Sequence, residues 1–176
     1  MTDIMADIET LGKKPGCIVL SIGASTFDPY DEYESNDFYV NICPYDSMKL
    51  GFTTDPDTIK WWSKQSKESK EQLKDNRKSV YDSVKEFHTW FKDVKGEKLW
   101  CQGINFDEPI MNELFVRMDI PIPWKFWNVR DTRTVYDVCN FDARSEPRGG
   151  TYHNALDDSK HQIKCLRKAL SFEGVE

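Results

Sequence analysis

The sequence predicts an α/β protein, a mixed central β-sheet flanked by α-helices, in a single domain over residues 1–176. Three observations carry this. Three segments near the start have period-two character and are joined by short turns. Beyond residue 54 the apolar residues recur at helical spacing. One short apolar segment, residues 98–102, stands between helical stretches, where a strand returning to the sheet belongs. A chain of 176 residues suits one domain.

Residues 3–9 alternate Asp3, Met5, Asp7 and Glu9 against Ile4, Ala6 and Ile8, giving a strand with two unlike faces. Gly12-Lys13-Lys14-Pro15-Gly16 turns the chain. Residues 17–27, β-branched early, make a second strand. Asp28-Pro29-Tyr30-Asp31 is a turn and residues 38–42 a third strand, which together predict an antiparallel meander. Thr54-Asp55-Pro56 opens a helix that contains Asp57, Ile59, Trp61 and Trp62. Ser79-Val80 opens another, with Val80, Val84, Phe87 and Phe91 on one stripe. After the strand at 98–102, Glu108-Pro109 opens a helix striped by Met111, Leu114, Phe115 and Met118. A short helix spans residues 132–139, a loop 140–152, and a last helix 154–170 with Leu156, Ile163, Leu166 and Leu170 facing the core.

Composition excludes several classes. Hydrophobics are 39% and charged residues 31%, a globular mixture. No apolar run approaches the ~18 residues of a membrane span, so no membrane partner is expected. Met1-Thr2-Asp3-Ile4 lacks the basic region and long apolar stretch of a signal peptide. Five cysteines without a CxxC pair argue against a disulfide framework or zinc ribbon, and for a reducing cytoplasm. The net charge of −6 argues against sequence-independent coating of a duplex. It leaves open an acidic pocket that grips phosphate through metal ions. Residues 1–60 carry 11 acids and 4 bases, whereas residues 61–78 carry 3 acids and 6 bases.

Three segments bear on chemistry. In Asp7-Ile8-Glu9 both carboxylates project from one strand face, which is costly unless a cation shares them. Alone, the pair also reads as a solvated edge. Asn105-Phe106-Asp107 lies at a strand–helix junction, where Asp107 also reads as an N-cap before Glu108-Pro109. His153-Asn154-Ala155-Leu156-Asp157-Asp158 opens the last helix, where acids also suit the helix dipole.

Taken together and in order, the segments resemble the DEDDh branch of the 3′–5′ exonucleases in the DnaQ-like, RNase H-like superfamily. Asp7 and Glu9 match its first motif, Phe106-Asp107 its second, and His153 with Asp158 its third. The likeness extends to small phage and prophage exonucleases and bacterial 3′–5′ exoribonucleases. It takes in Asp7 to Gly12, Ile22 to Ala24, Thr58 to Trp62, Trp100 to Asp107, Arg130 to Thr134, and His153 to Asp158. Polymerase-proofreading relatives often carry Asn where this chain has Gly103.

The resemblance implies an RNase H-like fold and hydrolysis of single-stranded RNA or DNA from the 3′ end to nucleoside 5′-monophosphates. It implies two divalent cations, Mg²⁺ with Mn²⁺ as substitute, which can clamp the attacking and leaving oxygens about 4 Å apart. Asp7 would bridge both, Glu9 and Asp158 would complete one site, Asp107 would hold the other ion, and His153 would be the general base. His153 is expected to be displaced when substrate and metal are missing. Thr10, Leu11, Phe106, Trp61 and Arg133 are the expected substrate contacts. One of Trp61 and Trp62 should be core, since adjacent helical residues point ~100° apart. The likeness is compatible with a homodimer and with a bacterial or phage-infected cytoplasm. Two rival readings are an inactive nucleic-acid-binding module on the same fold and an oligoribonuclease acting on very short RNAs.

Overall fold

The alternating segment at the start of the chain becomes the middle strand of a five-stranded sheet. The computed structural model describes residues 2–171. Strands β1 (Thr2–Thr10), β2 (Val19–Phe27) and β3 (Asp37–Asn41) form the expected antiparallel meander. Strands β4 (Gly96–Cys101) and β5 (Val129–Asp131) return parallel, giving the order β3-β2-β1-β4-β5.

Seven α-helices complete the described residues: α1 (Pro44–Lys49), α2 (Pro56–Ser63), α3 (Lys67–Glu71), α4 (Val80–Asp93), α5 (Ile104–Arg117), α6 (Thr132–Val138) and α7 (Ala155–Ser171). Asp55 caps α2, its carboxylate accepting from Thr58 N at 3.0 Å, and Ser79 caps α4 through Asp82 N at 3.0 Å. Three short elements have no counterpart among the sequence expectations. Helix α1 is six residues long, α3 five and β5 three, too short for either period to show.

The sheet is buried on both faces. Alternation sends Ile4, Ala6, Ile8 and Leu99 to one side, against Val84, Phe87 and Phe91 of α4 and Met111, Leu114 and Phe115 of α5. Met5, Phe27 and Trp100 go to the other, against Tyr136 of α6 and Ile163, Cys165 and Leu166 of α7. Leu170 is partly buried there. Leu156, expected in the core, is only half-buried; Ala155 and Ser159 lie against the sheet instead. The five cysteines are free thiols.

Candidate active site

Strand β1 sets the site. Asp7 pairs opposite Gly23 and Glu9 opposite Ser21, and the register shifts just after Glu9. Both carboxylates share the face of Met5, beneath α7. Helix α7 comes close because Gly23 has no side chain: a Cβ there would lie 2.2 Å from the backbone of Ala155 and Leu156. Ser159 Oγ donates to Gly23 O at 3.1 Å and locks that approach. One turn on, Gln162 Nε2 donates to Asp7 Oδ1 at 2.8 Å. Asp158, one turn before Gln162, is 9% exposed.

Asp107 arrives by a different route from the one the sequence suggests. Helix α5 begins at Ile104, not Glu108, so Asp107 is no N-cap but a buried residue of the first turn, 4% exposed. The reason is Asp131 at the end of β5. Its carboxylate accepts from Gly103 N at 3.3 Å and Ile104 N at 3.1 Å, capping α5 from outside, and from Arg133 N at 2.8 Å, capping α6. Gly103 enters the helix with φ 108°, a left-handed conformation that favours glycine. Pro109 therefore lies inside the helix.

His153 stands in the site. Its ring packs edge-on to Trp61 at 4.7 Å and Trp62 at 5.9 Å, with Nδ1 4.0 Å from Glu9 Oε1. The backbone explains this. His153 is left-handed, at φ 59°. Its carbonyl accepts from Gln72 Nε2 at 2.9 Å, Asn154 Nδ2 donates to Gln72 Oε1 at 2.7 Å, and Ser69 Oγ donates to Tyr152 O at 2.8 Å. The Asp157 carboxylate accepts from Thr151 N at 2.7 Å.

One residue that the sequence did not single out reaches the same place. The Arg148 guanidinium pairs with Asp158, and it lies over the Tyr152 ring, 4.5 Å from its centroid. Nothing in the aperiodic loop of residues 140–152 marks this arginine; only the fold brings it to the acids. Gln162 was within reach, since it lies four residues after Asp158 on one helix.

The electrostatics follow from burial of like charges. Burial raises the Asp7 carboxyl to about 7, opposed by the Gln162 hydrogen bond and the Arg148 charge. Burial and then the charges of Asp7 and Asp107 raise Glu9 to about 9. Burial and the charge of Asp7 hold Asp107 well above the ordinary range. Burial and the Arg148 charge lower His153. Ligand atoms of Glu9, His153 and Asp158 all lie within 4.8 Å of one another. Crowded carboxylate oxygens that resist ionising are a donor set suited to a hard divalent cation.

Beside the acids is a cavity of about 470 Å³ whose wall includes Glu9, Thr10, Trp61 and Phe106. Trp61 is 42% exposed and Trp62 6%, so Trp62 is the core member of the pair; its Nε1 donates to Thr10 O at 2.8 Å. The Thr10 hydroxyl is engaged, donating to Gly12 O at 2.6 Å. Leu11 packs on the core, its N–H donates to Ile18 O at 2.8 Å, and its carbonyl accepts from Asp55 N at 2.7 Å. Arg133 is exposed and lines a neighbouring cavity with Gln102, Tyr136 and Arg144. Gly103 leaves room for it: a Cβ there would lie 3.0 Å from Arg133 Nη1.

Fold and family together define a 3′–5′ exonuclease with an RNase H-like fold. The chain belongs to the Rv2179c-like 3′–5′ exoribonuclease domain family, whose model matches residues 2–170. It is 28% identical over 208 residues to an exodeoxyribonuclease of Enterobacteria phage T4, covering 98% of this chain and 90% of the phage protein. Its fold is similar to that of Escherichia coli exonuclease I. The zinc-bound complex of that enzyme with single-stranded DNA gives a TM-score of 0.69 at 15% identity, over 94% of this chain and 39% of the other. The complex with a dA16 oligonucleotide gives 0.65 at 16% identity, over 93% of this chain and 39% of the other. The chain thus spans about two-fifths of the length of exonuclease I. No helix of the described residues is long and apolar enough to cross a membrane.

Proposed function

We propose that residues 1–176 act as one divalent-metal-dependent exonuclease domain that trims single strands from the 3′ end to nucleoside 5′-monophosphates, with RNA cleaved at least as well as DNA. The observation that carries this is the convergence of Asp7 and Glu9 from β1, Asp107 from α5, His153 from the turn before α7, and Asp158 from its first turn. The family name and the nucleases reported above support it. The solved complexes of exonuclease I with single-stranded DNA support the choice of strand.

Mg²⁺ is the natural occupant, with Mn²⁺ as substitute, since both take oxygen donors. Asp7 would hold both cations, Glu9 and Asp158 would complete one site, and Asp107 the other. Such cations supply Lewis acidity toward the phosphodiester. His153 takes the proton of the attacking water on Nδ1, the ring atom nearest Glu9. Its lowered pKa keeps the imidazole neutral near pH 7 and ready to accept. Trp61 and Phe106 stack on unpaired bases from the cavity wall. Thr10 contributes through its place in that wall, and Arg133 meets a phosphate from the adjacent cavity. The preference for ribose rests on Glu9, which faces the cavity and can accept from a 2′-hydroxyl. The working compartment is the cytosol of a bacterium or phage-infected host.

End-labelled single-stranded RNA and DNA of equal sequence, resolved at nucleotide steps with Mn²⁺, test the proposal. One-nucleotide shortening from the 3′ end is expected, faster on RNA or equal. DNA favoured by tenfold would make the chain a deoxyribonuclease. No cleavage of either strand would leave a binding module.

A further inference from the structure

We propose that Arg148 is the resident counter-cation of the acidic site: it competes with the divalent cation for Asp158 and gives way when that cation binds. This rests on the reading of Asp158 as a cation ligand. The guanidinium pairs with Asp158 Oδ1, and no other acid lies within ion-pair distance of it among the described residues. Its charge also reaches Asp7, Glu9 and His153. The Arg148 side chain is 21% exposed and the Asp158 side chain 12%, so water screens the pair only partly. A carboxylate engaged by a guanidinium does not offer the same lone pairs to a metal ion.

The loop is built to release this arginine without disturbing its neighbour. Gly149 and Gly150 follow Arg148, Gly150 at φ 77°, and a Cβ on Gly149 would meet nothing within 4 Å. Beyond them the backbone is pinned. Thr151 N is held by Asp157, Tyr152 O by Ser69, and His153 O by Gln72. Gly150 is packed against Asp157, so Arg148 swings about Gly149 while His153 keeps its position against Trp61 and Trp62. Because the cation-competent form is only a fraction of the population, the apparent affinity for cation is lowered by that fraction.

The test is a Mn²⁺ titration of the full chain without nucleic acid, with free Mn²⁺ counted by electron paramagnetic resonance. Circular dichroism checks folding. Arg148→Gln should bind Mn²⁺ about tenfold more tightly than the parent, as expected if the competent form is about a tenth of the population. Arg148→Lys keeps the charge but loses the planar fork, and should fall between the two; it decides the matter if Arg148→Gln does not fold. Affinity equal to or weaker than the parent's, in the variant that folds, overturns the proposal. Asp158→Asn separates the two readings. If it loses Mn²⁺ while the Arg148 variants gain nothing, Asp158 is a ligand and Arg148 is not its competitor. If it binds Mn²⁺ like the parent, both readings fall.

Discussion

Gln162 Nε2 holds Asp7 Oδ1 at 2.8 Å, tying the first carboxylate of β1 to the helix that carries Asp158. Gln162 is 5% exposed, and its Oε1 has no hydrogen-bond partner among the described residues. The bond fixes which oxygen of Asp7 remains for a cation. Gln162→Leu should lower both Mn²⁺ affinity and kcat by about 10- to 100-fold, as loss of an outer partner of a metal ligand does. KM for the strand should stay near the parent value. A variant that loses strand affinity but keeps its Mn²⁺ affinity would show that Gln162 acts elsewhere.

Stability should depend on pH in an unusual direction. Asp7 is raised to about 7 and Glu9 to about 9, with Asp107 raised as well. Between the ordinary carboxylate range and those values, the folded chain holds protons that the unfolded chain has shed. Stability is then fullest below about pH 4 on this account and declines as pH climbs toward about 9. A divalent cation binds the ionised form, so it should restore stability, most strongly at high pH. Melting curves in EDTA and in Mg²⁺ across that range check this; parallel curves would refute it.

Asp157 and Asp158 are neighbours with different duties. Asp158→Asn should remove a cation ligand and cut turnover far more than Asp157→Asn, whose amide oxygen can still accept from Thr151 N. Asp157→Ala removes that acceptor and should cost about fivefold in rate, the equivalent of a typical hydrogen bond of about 1 kcal/mol. Rates of the three variants under saturating Mn²⁺ decide it.

His153→Ala should cleave about 10²–10⁴-fold more slowly while still binding single strands, as loss of a general base does. The acid limb of its pH–rate profile should flatten. Persistence of that limb would assign the proton to another acceptor.

The tryptophan pair offers a contrast between binding and folding. Trp61→Ala should weaken binding of a single strand by about 1–3 kcal/mol with the melting temperature kept. Trp62→Ala should cost about 3–5 kcal/mol of stability, because Trp62 is 6% exposed and bonded to Thr10 O. Equal effects of the two on KM would remove the stacking role of Trp61.

Legibility in the sequence followed the range of the interactions. The Asp7/Glu9 pair and the buried stripe of α4 were visible because period and burial are local. The start of α5 was not, because the group that starts it, Asp131, lies 28 residues from Gly103 in sequence. Arg148 was illegible for the same reason, being placed by a loop with no period of its own. That both backbone groups of Leu11 serve the turn to Ile18 and the entry to α2 was not legible either, since neither partner is a near neighbour in sequence.

Gly23 has a bearing on how this protein tolerates change. Most layers in α/β proteins are spaced by side chains, which can shrink or swell and let a helix settle at a new height. Here the first turn of α7 rests on bare backbone at Gly23, and even a methyl group would meet Ala155 at 2.2 Å. Helix height over the sheet is thus a fixed dimension, set on the strand residue directly opposite Asp7. Drift elsewhere in the α7 interface can be absorbed by repacking around Ile163 and Leu166. A change at Gly23 would lift the helix and open the gap between Asp7 and Asp158 by the same step, so mutational scans should find this glycine as intolerant as the carboxylates themselves.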